Sequence, residues 1–204
     1  MFQLNELQYD ALRELFNLGV GRAARSLSLM VQDEVELSTP VVTLVKPADV
    51  VTTLLGSEFR QLSLVTIDFA GPFDAQAILL FPERNALAII SQMLDPDMSP
   101  EELSEFEQEA MCEIGNIILN ACISALADEF GVEFQGGLPM HYFSDTDSLP
   151  LLDLEGDRIV LLLQIHLTMR QERIQGHLIF LLSVSSLSVL RECVDAYLTR
   201  VGLA

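Results

Sequence analysis

Apolar residues recur at helical spacing from residue 4 to about residue 31. Leu4, Leu7, Ala11, Leu12, Leu15, Gly19, Ala23 and Leu27 fall broadly on one side, which predicts a long amphipathic helix. Gly19 and Gly21 interrupt its middle, where they can kink it or admit another backbone. Residues 35–45 are rich in β-branched side chains and read as a strand. Pro40 lies inside it, which implies a bulge or an edge position. Residues 47–55 form a short predicted helix closed by Gly56. Residues 62–70 and 74–81 read as strands joined by Gly71-Pro72-Phe73, a hairpin signal. A helix over 82–94 follows, with proline in its first turn.

After a turn cluster, Asp95-Pro96-Asp97-Met98-Ser99-Pro100, the order of elements repeats. Ser99 is a candidate N-cap, with Pro100 at the first helical position and Glu102 placed for a capping box. A second long helix runs to about Phe130 and stops at Gly131. A strand region over 132–143 carries Pro139, and 144–156 is a polar, acidic connection. Residues 158–169 and 173–183 read as another hairpin, and a last helix spans 185 to about 201.

The two halves share a spaced motif. Asp10-Ala11-Leu12-Arg13-Glu14-Leu15-Phe16-Asn17 is matched 99 residues later by Glu109-Ala110-Met111-Cys112-Glu113-Ile114-Gly115-Asn116. In each, three residues separate a carboxylate from Glu, and two more separate that Glu from Asn. In each, 22 residues separate the Asn from a proline, Pro40 or Pro139. Phe81 and Phe180 close their strands at the same offset. This pattern reads as duplication of one α/β unit. The expectation is a single domain over 1–204 made of two repeats, about 1–98 and 99–204. Its fold class is α/β of the α+β type, with a pseudo-two-fold axis and helices packed on one side of a mostly antiparallel sheet.

Composition narrows the function classes. Half of the 204 residues are hydrophobic, enough for a sizeable core. Thirty acidic residues against eleven basic give a net charge of −19, and Lys46 is the sole lysine. That charge repels nucleic acid and anionic membrane, so neither is an expected partner. Cys112, Cys122 and Cys193 form no Cys-x-x-Cys pair, so neither a disulfide framework nor a zinc site is expected, and a cytoplasmic location is. The N-terminus lacks a basic segment followed by an apolar one, so no signal peptide is expected. Uninterrupted apolar runs such as Ile159-Val160-Leu161-Leu162-Leu163 are too short to span a bilayer and read as buried strands.

On a helix, Asp10, Glu14 and Asn17 fall within about 60° of one another. Glu109, Glu113 and Asn116 do the same, so each long helix is expected to present a carboxylate-carboxylate-amide row to solvent. Such a row has no nucleophile and no histidine beside it. A carboxamide can accept from and donate to a water, orienting it without removing its proton. The Glu one turn away can grip a cation on a partner. Each row therefore suits insertion into another protein's active site.

The doubled pattern resembles that of the CheC/CheX/FliY phosphatases of chemotaxis. Asn17-Leu18-Gly19-Val20-Gly21-Arg22-Ala23-Ala24 is similar to the glycine-rich first copy of CheC, and Glu113-Ile114-Gly115-Asn116-Ile117-Ile118-Leu119-Asn120-Ala121 to its second. The resemblance covers essentially the whole chain. It implies a phosphatase acting on the aspartyl phosphate of a CheY-type response-regulator receiver in chemotaxis signalling. By the same resemblance, Asn17 and Asn116 would orient the attacking water. Glu14 and Glu113 would pair with the receiver's lysine, and Asp10 and Glu109 would help docking. Pro40 and Pro139 would shape the strand beside the helix. No cofactor is expected on this chain, since Mg²⁺ would sit on the receiver. CheD is a further possible partner. The alternative is a non-catalytic receiver- or CheD-binding module related to the flagellar-switch protein FliM.

Two positions depart from the family's pattern. Phe16 stands where the family usually has Gly, and Glu109 replaces Asp or Ser. Of the two copies, the second is expected to be the more active. His166 and His177 sit one on each arm of the last predicted hairpin, where they could face each other, but their expected role is structural. His141 has no evident partner. Met111 and Cys112 are expected to be core packing. Asp145, Asp147, Asp153, Glu155 and Asp157 crowd one segment without the glycine an EF-hand loop requires.

Overall fold

Asn5 starts the first helix through a reciprocal cap. Its side chain accepts from the Gln8 backbone N–H, and the Gln8 side chain accepts from the Asn5 N–H, both at 2.9 Å. The computed structural model describes residues 4–47, 49–50, 61–93, 100–145, 158–169 and 172–203. In order these form α1 (Glu6–Val31), β1 (Val35–Leu37), β2 (Val41–Val45), β3 (Gln61–Ala70), β4 (Ala75–Pro82) and α2 (Glu83–Met93). Then come α3 (Pro100–Phe130), β5 (Gln135–Gly136), β6 (Met140–Asp145), β7 (Arg158–Met169), β8 (Glu172–Ser183) and α4 (Val184–Arg200). Ser99 and much of the expected helix over 47–55 lie outside the described residues.

Among the described residues, eight strands form one sheet, in the order β1-β7-β8-β4-β3-β5, with β2 also on β7 and β6 also on β3. Every strand pair is antiparallel. The edge strands are exchanged: β1 and β2 pair with β7, while β5 and β6 pair with β3. At the centre of the β4–β8 pair, Leu79 lies opposite Leu178, two residues separated by the repeat offset itself. That offset does not hold everywhere. Val42 pairs with Leu163 and His141 with Val65, so the matching positions of β2 and β6 differ by 99 and those of β7 and β3 by 98. A one-residue slip would turn every side chain to the opposite face. The change keeps Val65 and Leu163 both in the main core.

The helices α1, α2, α3 and α4 share that core. Leu12, Leu15, Ile89, Ile114, Leu119, Leu190 and Val194 pack with Val65, Leu79, Leu163, Leu178 and Phe180. On the opposite face, Val50, Leu62, Leu64, Ile78, Leu80, Val160, Leu162, Ile179 and Leu181 form a second cluster. The central strands are thus buried on both faces, which explains their continuous apolar runs. Over Phe106–Phe130, α3 is long and apolar enough to cross a membrane, a property that the count of uninterrupted runs missed. Here one side of it lies in the core, through Met111, Ile114, Ile118, Leu119 and Cys122.

Two glycines set how closely the helices sit. A Cβ on Gly19 would lie 2.6 Å from Cys122 Cα, so the backbones of α1 and α3 touch there. The helix runs unbroken past it. A Cβ on Gly115 would lie 2.4 Å from Val65 Cγ1, so α3 rests directly on β3. The first copy has Phe16 in that position, fully buried and tilted on Phe180 at 5.1 Å. The exchange therefore repacks the core side of the helix.

Pro40 is buried where the expected strand divides into β1 and β2, both on β7. Ser38 bridges the division. Its N–H donates to the His166 carbonyl, and its Oγ accepts from the His166 N–H, both at 2.9 Å. His166 and His177 are not opposite each other. The cross-strand pairs are His166 with Gln175 and Gln164 with His177. His177 is 3% exposed, its Nε2 lies 3.4 Å from Gln175 Nε2, and its Nδ1 has no hydrogen-bond partner.

Gly115→Ala is expected to lower stability by roughly 1–3 kcal/mol in chemical denaturation, although alanine is the better helix former by ~1 kcal/mol. A double-mutant cycle with Val65→Ala should show coupling above about 0.5 kcal/mol. Burial pushes the His177 imidazole down to about 4, and His166 acts in the same direction. The unfolded chain therefore binds a proton that the folded chain refuses between about 4 and the ordinary imidazole value of about 6.5. Stability is full above the unfolded value and lost as pH falls toward the folded one. Relative to His177→Leu, the native protein is expected to lose roughly 2 kcal/mol between pH 7 and pH 5, read from denaturation midpoints.

Candidate functional site

Each long helix buries one side and turns a polar row outward. On α1, Asp10 and Glu14 are exposed and Asn17 is half-buried; on α3, Glu109 and Glu113 are exposed and Asn116 is half-buried. Behind them, Leu12, Leu15 and Phe16, or Met111 and Ile114, reach the core. Met111 is fully buried, as its apolar character implied. The three motif side chains of each copy therefore share one helix face, about 5–6 Å apart at their Cβ atoms. One turn before each row stands an exposed apolar side chain, Leu7 at 38% and Phe106 at 43% exposure. These two are also separated by 99 residues, and they border each carboxylate row with apolar surface.

The rows differ in their charge. Arg13 Nη2 donates to Asp10 Oδ1 at 2.8 Å, both side chains being exposed. The position of Arg13 is Cys112 in the second copy, which has no charge to offer. Glu14, Glu109 and Glu113 make no hydrogen bond or ion pair with any described residue. Their carboxylates are open to a partner's cation.

The rows also differ underneath. Cys112 is half-buried and donates its S–H to the Pro139 carbonyl, with Sγ 3.8 Å away. Burial pushes its thiol up, in keeping with a partly packed side chain, and the bond to Pro139 adds a polar contact. Pro139 thereby supplies an acceptor to the motif helix. His141, on β6, has its Nε2 2.8 Å from Ser63 Oγ, a partner not evident in the sequence, and burial pushes its imidazole down. The first copy has Arg13, Val42 and the buried Pro40 at the matching positions.

Asn120 was not singled out by the sequence, where its only signal is an Asn four positions beyond Asn116. Its Nδ2 donates to the Asn116 backbone carbonyl at 2.9 Å and to Asn116 Oδ1 at 2.7 Å. A backbone carbonyl can only accept, so the atom facing it is the Asn120 nitrogen. The Asn116 atom beside that nitrogen is then its oxygen, which leaves the Asn116 NH₂ outward.

Among the described residues, no three His, Cys, Asp or Glu side chains are grouped to hold a metal ion. Asp145 is exposed at the end of β6, while Asp147, Asp153, Glu155 and Asp157 lie outside the described residues. The rows line none of the described cavities, such as the one between α3 and α4 bounded by Glu129, Tyr197 and Arg200. Each is an outward-facing row that can orient a water, accept a partner's cation and donate an amide hydrogen bond. Neither contains an attacking group.

Residues 63–148 match the sequence model of the family described as Chemotaxis phosphatase CheX. The CheY-P phosphatase CheC of Bacillus subtilis (strain 168) is 24% identical over 139 residues, which cover 67% of this chain and 66% of that relative, just under two thirds of its length. FliY of Thermotoga maritima superposes with a TM-score of 0.78 at 16% identity, over 96% of this chain and all of that one. CheX in a CheX–CheY–BeF3–Mg²⁺ complex from Borrelia burgdorferi superposes with a TM-score of 0.52 at 20% identity, over 83% of this chain and 97% of that one. The structural likenesses show a shared fold with FliY and CheX, and the two sequence matches make this chain similar to CheX and CheC.

Proposed function

We propose that this chain is a chemotaxis phosphatase that hydrolyses the aspartyl phosphate of a CheY-type receiver. The observation that carries this is the pair of outward Glu/Asn rows at one register on α1 and α3, with Glu14 and Glu113 unpaired among the described residues. The proposal takes 1–204 as one domain of two repeats, each carrying one row. The pairing of Leu79 with Leu178 supports it.

In this mechanism the helix docks with its row over the receiver's phosphoryl group. Glu14 or Glu113 pairs with the receiver's lysine and sets the register of docking. Asn17 or Asn116 holds a water through its carboxamide, with one water lone pair directed at phosphorus and opposite the aspartyl oxygen. Water attack forms the new P–O bond as the bond to aspartate breaks, releasing inorganic phosphate and a free carboxylate. A Mg²⁺ held by the receiver would neutralise phosphoryl charge. Positioning of this kind needs no nucleophile from the chain. Asp10 and Glu109, with Leu7 and Phe106, border the docking face.

The double variant Asn17→Ala/Asn116→Ala should lose the acceleration of phospho-receiver decay while keeping its circular dichroism and melting temperature. Unchanged acceleration would refute water positioning by these amides. Binding to a receiver or to CheD without any effect on phosphoryl lifetime would instead identify a non-catalytic docking module. In the same assay, Glu113→Ala in an Asn17→Ala background should raise KM for the phospho-receiver with kcat little changed.

A further inference from the structure

Asn116 and Asn17 occupy the same register, yet of the two only Asn116 has its amide held by a described residue. Asn120 donates to both its backbone carbonyl and its Oδ1. The position matching Asn120 is Gly21, where a side chain would begin in open space. The strand position opposite differs as well. A Cβ on Gly136 of β5 would lie 3.3 Å from Asn120 Oδ1, so the Asn120 amide occupies the space above that glycine. The first copy has Leu37 at the position of Gly136, and it is half-buried in the main core. The second copy thus combines Asn on the helix with Gly on the strand, and the first combines Gly on the helix with Leu on the strand.

We infer that Asn120 is a positioning residue for Asn116, and that its absence at Gly21 makes the two rows unequal, the second having the higher turnover. This rests on the phosphatase reading above. A carboxamide that orients water must present its oxygen and nitrogen in a fixed sense. An unrestrained amide rotates about χ2, and productive orientations are then a fraction of those it samples. Asn120 takes one lone pair of Asn116 Oδ1. The other lone pair remains for the O–H of the attacking water, and the Asn116 NH₂ can donate to water or phosphoryl oxygen. Asn17 has no such restraint among the described residues.

The test uses the full chain and a phosphorylated receiver, with each row isolated by removing the other's Asn. In an Asn17→Ala background, Asn120→Ala is expected to lower kcat severalfold with KM unchanged. Asn120→Asp should lower it further, because an acceptor then faces Asn116 Oδ1. In an Asn116→Ala background, Gly21→Asn should raise kcat severalfold. A second readout needs no substrate: in nuclear magnetic resonance, the Asn116 side-chain amide should be rigid in the native protein and become mobile in Asn120→Ala. Unchanged kcat in Asn120→Ala, or an Asn116 amide equally mobile with and without Asn120, overturns the inference. A purely structural role would lower melting temperature without the kcat-only effect and without a gain from Gly21→Asn, and that outcome also overturns it. If the native protein fails to accelerate decay at all, the phosphatase reading fails, and the amide measurement still decides whether Asn120 positions Asn116.

Discussion

The antiparallel register between β4 and β8 is the constraint on which the rest of the molecule depends. It joins the two halves at Leu79 and Leu178, and from there β7 and β3 accept each other's edge strands. Side chains alternate faces along a strand, so this register decides which residues meet the helices. Val65, for example, faces α3 closely enough that only glycine fits at position 115. That contact presses the core side of the second motif helix onto the sheet. Its outward row is positioned as a consequence.

Much of this was legible because the periods were clean. The bounds of α1 and α3 and both hairpins follow from apolar spacing of 3.6 or 2 and from glycine and proline at their ends. Pro40 marked an edge for the reason that proline lacks a donor. The exchange of edge strands was not legible, since a strand's pattern reports its faces and not its neighbour. Nor was the change of offset from 99 to 98 between β3 and β7, which shows only in pairing partners. At the site, exposure of the carboxylates followed from helical geometry alone, whereas the half-burial of Asn17 and Asn116 did not. The Asn120 amide, the Ser63–His141 contact and the Cys112–Pro139 contact required side-chain positions that no spacing rule supplies.

Around the two rows the copies differ in their packing. Phe16 with Phe180 fills one side of the core where Gly115 with Val65 fills the other. Gly21 with Leu37 stands against Asn120 with Gly136. The first is a difference of packing in the core, and the second is a difference at exposed glycines. Both helices stay on the sheet and differ in what each presents outward.

The ion pair between Arg13 and Asp10 has a consequence for traffic between the rows. With its own arginine in place, the first row has a net charge of −1 across Asp10, Arg13 and Glu14, whereas Glu109, Cys112 and Glu113 give the second −2. An acidic partner surface meets the weaker barrier at the first row, and dissolved salt lowers the second barrier more. On the functional reading given above, ionic strength would then divide encounters between an easily reached row and a better-ordered one. A chain with two unequal copies would thus carry a sensitivity to its solvent that neither copy has alone.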